Sequence, residues 1–203
     1  MSLINIIEKF KTKKPFIEKI ENINEIFDLK DFENYINTNT FVLDKNFHIK
    51  YQKNEYYWDK NHWDVFDKII PSKALDVMLD EETCVITNAK KLNKNVQNII
   101  GYIEGIIKLE TDCHLFYCSD KVEDKGLGRH HDKNDNFIMQ IYGSTDLTIW
   151  GNELIEKTLN PGDVFYIPRL TDHCLKSKTK RLSLSFPMAY EKKISRKDYW
   201  VKL

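Results

Sequence analysis

Three side chains are of the type and placement that could hold a metal ion: His130, Asp132 and His173. The first two fall in the run Gly126-Leu127-Gly128-Arg129-His130-His131-Asp132. An extended strand sends alternate side chains to opposite faces, so residues two apart converge. His130 and Asp132 then share a face, and His131 points away. One imidazole and one carboxylate make a borderline-hard pair suited to Fe(II), Mn(II) or Zn(II). The third ligand should come from a distant strand crossing nearby, and His173 is the best candidate. It follows the run Leu159-Asn160-Pro161-Gly162-Asp163-Val164-Phe165-Tyr166-Ile167-Pro168, which reads as a tight turn, a strand buried on both faces and a proline stop. A histidine a few residues past such a strand can lean over the mouth of a barrel. Two histidines and a carboxylate on one face of an octahedron leave three positions open, the arrangement of non-haem iron oxygenases. An isolated His-x-Asp also arises by chance, and His48, His62 and His114 show that the chain carries histidine elsewhere.

The elements that must position these residues change character along the chain. Up to about residue 110 the pattern is mixed. Ile4, Ile7 and Phe10, and later Phe27, Leu29, Phe32, Tyr35 and Ile36, recur at helical spacing. Phe16 and Ile17, after Lys14-Pro15, suggest a short strand, and Leu92 to Ile107 reads as a helix with Leu92, Val96, Ile99, Ile100 and Ile103 on one face. From about 111 to 190 short strands dominate: Leu115–Cys118, Asn136–Tyr142, Leu147–Trp150, Asp163–Ile167 and Arg181–Phe186. Turn signals separate them at Lys125-Gly126-Leu127-Gly128, Tyr142-Gly143-Ser144, Trp150-Gly151-Asn152 and Asn160-Pro161-Gly162-Asp163. Short strands at this spacing predict an antiparallel sandwich or barrel with helices packed on it, an α+β chain of one domain over 1–203.

Composition narrows the partners. Lysine plus arginine and aspartate plus glutamate both number 31, for a formal net charge of zero. Bulk electrostatics therefore do not favour nucleic acid or an anionic membrane. No apolar run is long enough to span a bilayer, and MSLINIIEKFKTKK carries its charges after its apolar residues, the reverse of a secretory signal. Cys84, Cys113, Cys118 and Cys174 form no CxxC pair, which fits reduced thiols and a cytoplasmic setting.

The segment Gly126 to Gln140, GLGRHHDKNDNFIMQ, followed by Gly143, Trp150, the run Leu159 to Pro168 and His173, resembles the JmjC-type, cupin-like 2-oxoglutarate oxygenases. The ribosomal oxygenases and the factor-inhibiting-HIF asparaginyl hydroxylase are the members most similar in pattern. His130, Asp132, Phe137, Gln140, Gly143, the buried strand and His173 each match an element of that pattern, sharply from Gly126 onward and loosely from Lys14 to Phe186. The resemblance implies a double-stranded β-helix, a jelly-roll barrel, with Fe(II) held by His130, Asp132 and His173. It also implies 2-oxoglutarate as cosubstrate and O2 as oxidant, the keto acid being decarboxylated to succinate as a substrate is hydroxylated.

One position departs from the family. Many members grip the far carboxylate of 2-oxoglutarate with Lys or Arg two residues after the glycine, where this chain has Thr145 followed by Asp146. A carboxylate buried without a partner is costly, so a replacement is required. Arg181 is the candidate, since Arg181-Leu182-Ser183 puts both polar side chains on one face and resembles the Arg-x-Ser motif of the wider superfamily. An arginine can hold a carboxylate in bidentate fashion while the serine hydroxyl adds a third bond; the alternative is that Arg181 ends the exposed run Lys176 to Lys180. Asn136, His114, Tyr117 and Thr145 match positions that contribute polar contacts in the family, with a satisfied core histidine the alternative for His114. Tyr56-Tyr57-Trp58, His62-Trp63 and Phe66 are expected to pack the N-terminal region onto the sheet, or to form a lip for substrate.

These readings point to an oxygenase acting on a peptide or protein side chain, in a chain that could pair as a homodimer. Ribosomal oxygenases carry further domains after the catalytic one, whereas only about seventeen residues follow Phe186. A smaller peptide, a free amino acid or a natural-product intermediate is therefore the alternative substrate. A metal-binding cupin-like module without turnover is the alternative of another class.

Overall fold

The computed structural model describes residues 3–42, 45–49, 69–70, 72–122, 126–151, 153–189 and 201–202. The aromatic cluster from Tyr56 to Phe66 lies outside them. Among the described residues, helices α1 (Leu3–Glu8), α2 (Leu29–Thr38), α3 (Ser72–Glu81) and α4 (Lys94–Ile107) lie ahead of the barrel strands. Helix α4 begins where the Asn93 side chain accepts from the Val96 amide at 2.9 Å, an N-cap that satisfies one otherwise orphaned donor. It buries Val96, Ile99, Ile100 and Ile103, the stripe expected of an amphipathic helix. Asp28 caps α2 in the same way through Asp31, and Phe32 and Ile36 form its buried face. The sequence pattern contained both helices and left α3 unmarked.

The strands are β1 (Phe16–Lys19), β2 (Phe47–Ile49), β3 (Cys84–Ile86), β4 (Glu110–Thr111), β5 (His114–Cys118), β6 (His130–His131), β7 (Asp135–Tyr142), β8 (Thr145–Trp150), β9 (Leu154–Leu159), β10 (Asp163–Ile167), β11 (Asp172–Ser177), β12 (Arg181–Ala189) and β13 (Val201–Lys202). Among the described residues they form two antiparallel sheets. The major sheet has the order β1-β10-β7-β12-β5-β3-β2, with β4 beside β12, and the minor sheet the order β13-β6-β11-β8-β9. Among the described residues no ladder joins the two, so the jelly roll is a two-sheet sandwich and not a closed cylinder.

Period-two alternation divides the major sheet between two cores. Phe137, Met139, Val164, Tyr166, Leu182, Leu184 and Phe186 pack with the helices. Ile138, Phe165 and Ile167 point the other way and meet Leu147, Ile149, Leu159 and Leu175 of the minor sheet. The second face also carries buried polar side chains: Asn136 and Gln140 on β7, Arg181, Ser183 and Ser185 on β12, and His114 on β5. A polar stripe on an inward sheet face is costly unless paired or used, which marks where the chemistry lies. Two tight turns hold the frame. Gly143 has φ +74°, and a Cβ there would lie 1.7 Å from the Lys180 carbonyl oxygen; Gly162 has φ +90°, and its Cβ would lie 2.5 Å from that of Ile20.

Candidate metal centre

Strand β6 is only two residues long, and Asp132 sits just beyond it. His130 pairs in register with His173 of β11, so the two imidazoles meet across neighbouring strands with ring centroids 4.3 Å apart. His173 thus sits on β11, a distant strand that crosses beside β6, as the ligand argument expected; its ladder position is what brings it to His130. Asp132 Oδ1 lies 3.9 Å from His130 Nε2, and Asp132 Oδ2 lies 3.7 Å from His173 Nε2. One ligand atom from each residue falls within 4.8 Å of the others, a cluster that one ion could join. Convergence of His130 and Asp132 agrees with the spacing argument. His131 turns outward, its Nδ1 3.2 Å from Asp172 Oδ1, beside the Arg129–Asp172 ion pair.

The neighbouring contacts orient each ligand. His130 Nδ1 lies 3.0 Å from the Gly128 carbonyl oxygen, and His173 Nδ1 lies 2.9 Å from that of Thr171. A carbonyl only accepts, so each Nδ1 carries its hydrogen and each Nε2 presents a lone pair to the centre. Burial holds the His173 imidazole below the ordinary histidine range, assisted by His130 and opposed by Asp132. A neutral imidazole is the form that binds metal. The Asp132 backbone carbonyl accepts from the Leu170 amide at 2.7 Å, and the Asn136 amide donates to Asp132 Oδ2 at 3.3 Å. Asn136 is itself fixed by Ser185, whose hydroxyl donates to its side-chain oxygen at 2.7 Å. Ser185 was not singled out from sequence, although it continues the alternation of Arg181 and Ser183. The donor set of two imidazole nitrogens and one carboxylate fits Fe(II).

The triad opens into a pocket whose wall includes Asn136, His114, Phe116, Ile138, Leu175 and Arg181. Arg181 is 5% exposed, and burial lowers its pKa to about 10. Its Cζ lies 5.6 Å from the Phe116 ring centroid, and among the described residues no carboxylate pairs with it. Arg181 Nε donates to Ser183 Oγ at 2.8 Å, and Ser183 donates to Gln140 Oε1 at 2.9 Å. The Gln140 amide nitrogen donates onward to the carbonyls of Tyr142 and Gly143.

The remaining expected contacts divide. His114 reaches the pocket wall, its Nε2 3.3 Å from Asp112 Oδ2. Burial pushes the Asp112 carboxyl up, but His114 and the Cys113 amide hold it below the usual carboxylate range. Tyr117 does not reach the pocket. Alternation along β5 turns it to the helices, where it stacks on Phe32 with centroids 4.6 Å apart. Thr145 is fully buried opposite Ser177 on the inward face of β8 and does not line the pocket. Thr83, just before β3, does line it, and the sequence held no signal for this.

The two-sheet arrangement is the fold of the cupin-like oxygenases. Among solved structures the chain is similar to YcfD, a ribosomal oxygenase from Escherichia coli. The structure of YcfD in complex with cobalt and 2-oxoglutarate matches with TM-score 0.64 and 14% identity, over 92% of this chain and 52% of that one. The complex with cobalt and succinic acid matches with TM-score 0.61 and 13% identity, over 96% and 53%. The chain therefore spans about half the length of these proteins. No family model matches the sequence, and no curated protein matches it. All four cysteines are free, and no helix among the described residues is long and apolar enough to cross a membrane.

Proposed function

We propose that this chain is an Fe(II)- and 2-oxoglutarate-dependent oxygenase that hydroxylates a peptide or protein side chain, a smaller molecule being the alternative substrate. The observation that carries the reading is one pocket containing both a His-Asp-His cluster with its Nε2 atoms turned inward and a buried arginine that no carboxylate among the described residues pairs. Iron with 2-oxoglutarate and O2 would supply oxidative decarboxylation coupled to insertion of oxygen into a C–H bond. The chain's own part is binding, orientation and exclusion of water. The Gly128 and Thr171 carbonyls hold the two imidazoles in their ligating tautomer. Asn136 keeps Asp132 aimed at the centre. Arg181, oriented through Nε by Ser183, would hold the far carboxylate of the keto acid with its remaining N–H groups. Ile138, Leu175, Phe116 and Pro187 give the pocket apolar walls.

The test is anaerobic addition of 2-oxoglutarate to Fe(II)-loaded protein, followed by admission of air. A weak metal-to-ligand charge-transfer band and then succinate formation are expected, with succinate accelerating when peptides containing Asn, Asp, His or Arg are supplied. Iron-loaded, folded protein that gives neither band nor succinate would make the chain a metal-binding module without turnover.

A further inference from the structure

The expected third bond to the far carboxylate, from the Ser183 hydroxyl, is not available. Ser183 has one hydrogen, and it is committed to Gln140. The Gln140 amide group is committed to two main-chain carbonyls, which fixes which of its atoms faces Ser183. The network therefore ends in the backbone and offers a ligand only the outer nitrogens of Arg181. A carboxylate has about four acceptor sites, and a bidentate arginine satisfies two of them.

A second donor stands in the same row of the major sheet. Cys84 is opposite Tyr117, so Thr83, one residue earlier, comes opposite Cys118, and Cys118 is opposite Arg181. Thr83 and Arg181 are two strands apart, roughly 10 Å between backbones. Both line the pocket, and Phe116, on the same face, lies beside the guanidinium. Thr83 is 5% exposed, and among the described residues its buried hydroxyl has no hydrogen-bond partner. A buried hydroxyl left unpaired is unfavourable, and a ligand oxygen between Thr83 and Arg181 removes that cost. His114 and Asn136 cannot substitute, because they lie in rows nearer the metal, opposite Ser185 and Pro187.

We infer that Thr83 and Arg181 together form the deep carboxylate subsite of the pocket, Thr83 donating its hydroxyl to the ligand oxygen that the guanidinium leaves unsatisfied. The inference rests on the 2-oxoglutarate reading above and assigns to the segment before β3 a positioning role for the cosubstrate.

Anaerobic calorimetric titration of Fe(II)-loaded protein tests it with two probes: 2-oxoglutarate, and 2-oxopentanoate, which keeps the keto acid head and lacks the far carboxylate. Thr83→Val and Thr83→Ala should each weaken 2-oxoglutarate about tenfold or more, because the lost bond is to a charged acceptor. Neither should change the affinity for 2-oxopentanoate or the iron content, and Thr83→Ser should restore 2-oxoglutarate binding. A change in 2-oxoglutarate affinity below about twofold in the folded variant overturns the subsite while leaving the oxygenase reading intact. Equal weakening of both probes does the same, since it reports general packing. Wild-type protein that binds 2-oxoglutarate no better than 2-oxopentanoate, or not at all, overturns both.

Discussion

Arg181 carries the largest single-residue consequence. It is a cation placed among apolar side chains, and burial alone accounts for its lowered pKa. Loss of one partner from a desolvated charge pair costs roughly 3–5 kcal/mol, so Arg181→Ala should weaken 2-oxoglutarate by roughly a hundredfold or more. Thr145→Ala, away from the pocket, should stay within about 1 kcal/mol. Calorimetry on the two variants separates them. The pH dependence has a definite sign. The guanidinium must be protonated to hold an anion, and its pKa in the free protein is about 10. Affinity should be level through neutral and mildly alkaline pH and fall as the pH rises past about 10. Bound carboxylate favours the charged form, so the complex loses its proton later than the free protein.

At the scale of elements, the site depends on turns that bring β7, β8 and β12 into register. Gly143 joins β7 to β8 at positive φ, with the Lys180 carbonyl pressed against it just ahead of Arg181. An alanine there combines backbone strain with a main-chain clash that no side-chain rotation relieves. Gly143→Ala should destabilise the fold by on the order of 2–4 kcal/mol, read as a lower denaturant midpoint at unchanged slope. By contrast Gly101 and Gly105 on α4 have open space around their Cβ positions, and alanine at either should be neutral or stabilising. This pair of outcomes checks that glycine matters where the sheets turn and not along the helix.

For the whole molecule, the triad joins parts that the chain reaches separately: the end of β6 and the start of β11, forty-odd residues later. A metal bound only by the folded form stabilises it by mass action, about 2.7 kcal/mol at a hundred times Kd. In a chain of this size that corresponds to a rise in Tm of roughly 5–10 °C. Fe(II), or Mn(II) as an air-stable substitute, should produce the rise and EDTA should reverse it. His130→Ala, Asp132→Ala and His173→Ala should each abolish it. His131→Ala should retain it, because that ring faces Asp172 on the outer surface. An equal loss from His131→Ala would mean that the register of β6 is wrong.

Much of this molecule was readable before any tertiary contact was known, because its local signals are periodic. The stripe of α4, the continuous apolar run of β10, the shared face of Arg181 and Ser183, and the turns at Gly143 and Gly162 each follow from residues close together in the chain. The pairing of His130 with Asp132 is of the same kind, since a spacing of two decides a shared face. What the tertiary structure decided are the relations across strands. Strand β9 has a mostly exposed edge pattern, and β11 buries His173, Leu175 and Ser177 in strict alternation but shows little apolar period in its sequence, so neither stood out. The placement of His173 therefore depended on pairing, not on a local pattern. The same holds for Tyr117, turned to the helices by a β5 register that five wholly buried residues do not disclose. It holds for Ser183, whose one hydrogen is claimed by Gln140 across a ladder, and for Thr83, brought into the same row as Arg181, two strands away, from nearly a hundred residues off in the chain. Periodicity assigns a side chain to a face; only strand order determines which other side chains share it.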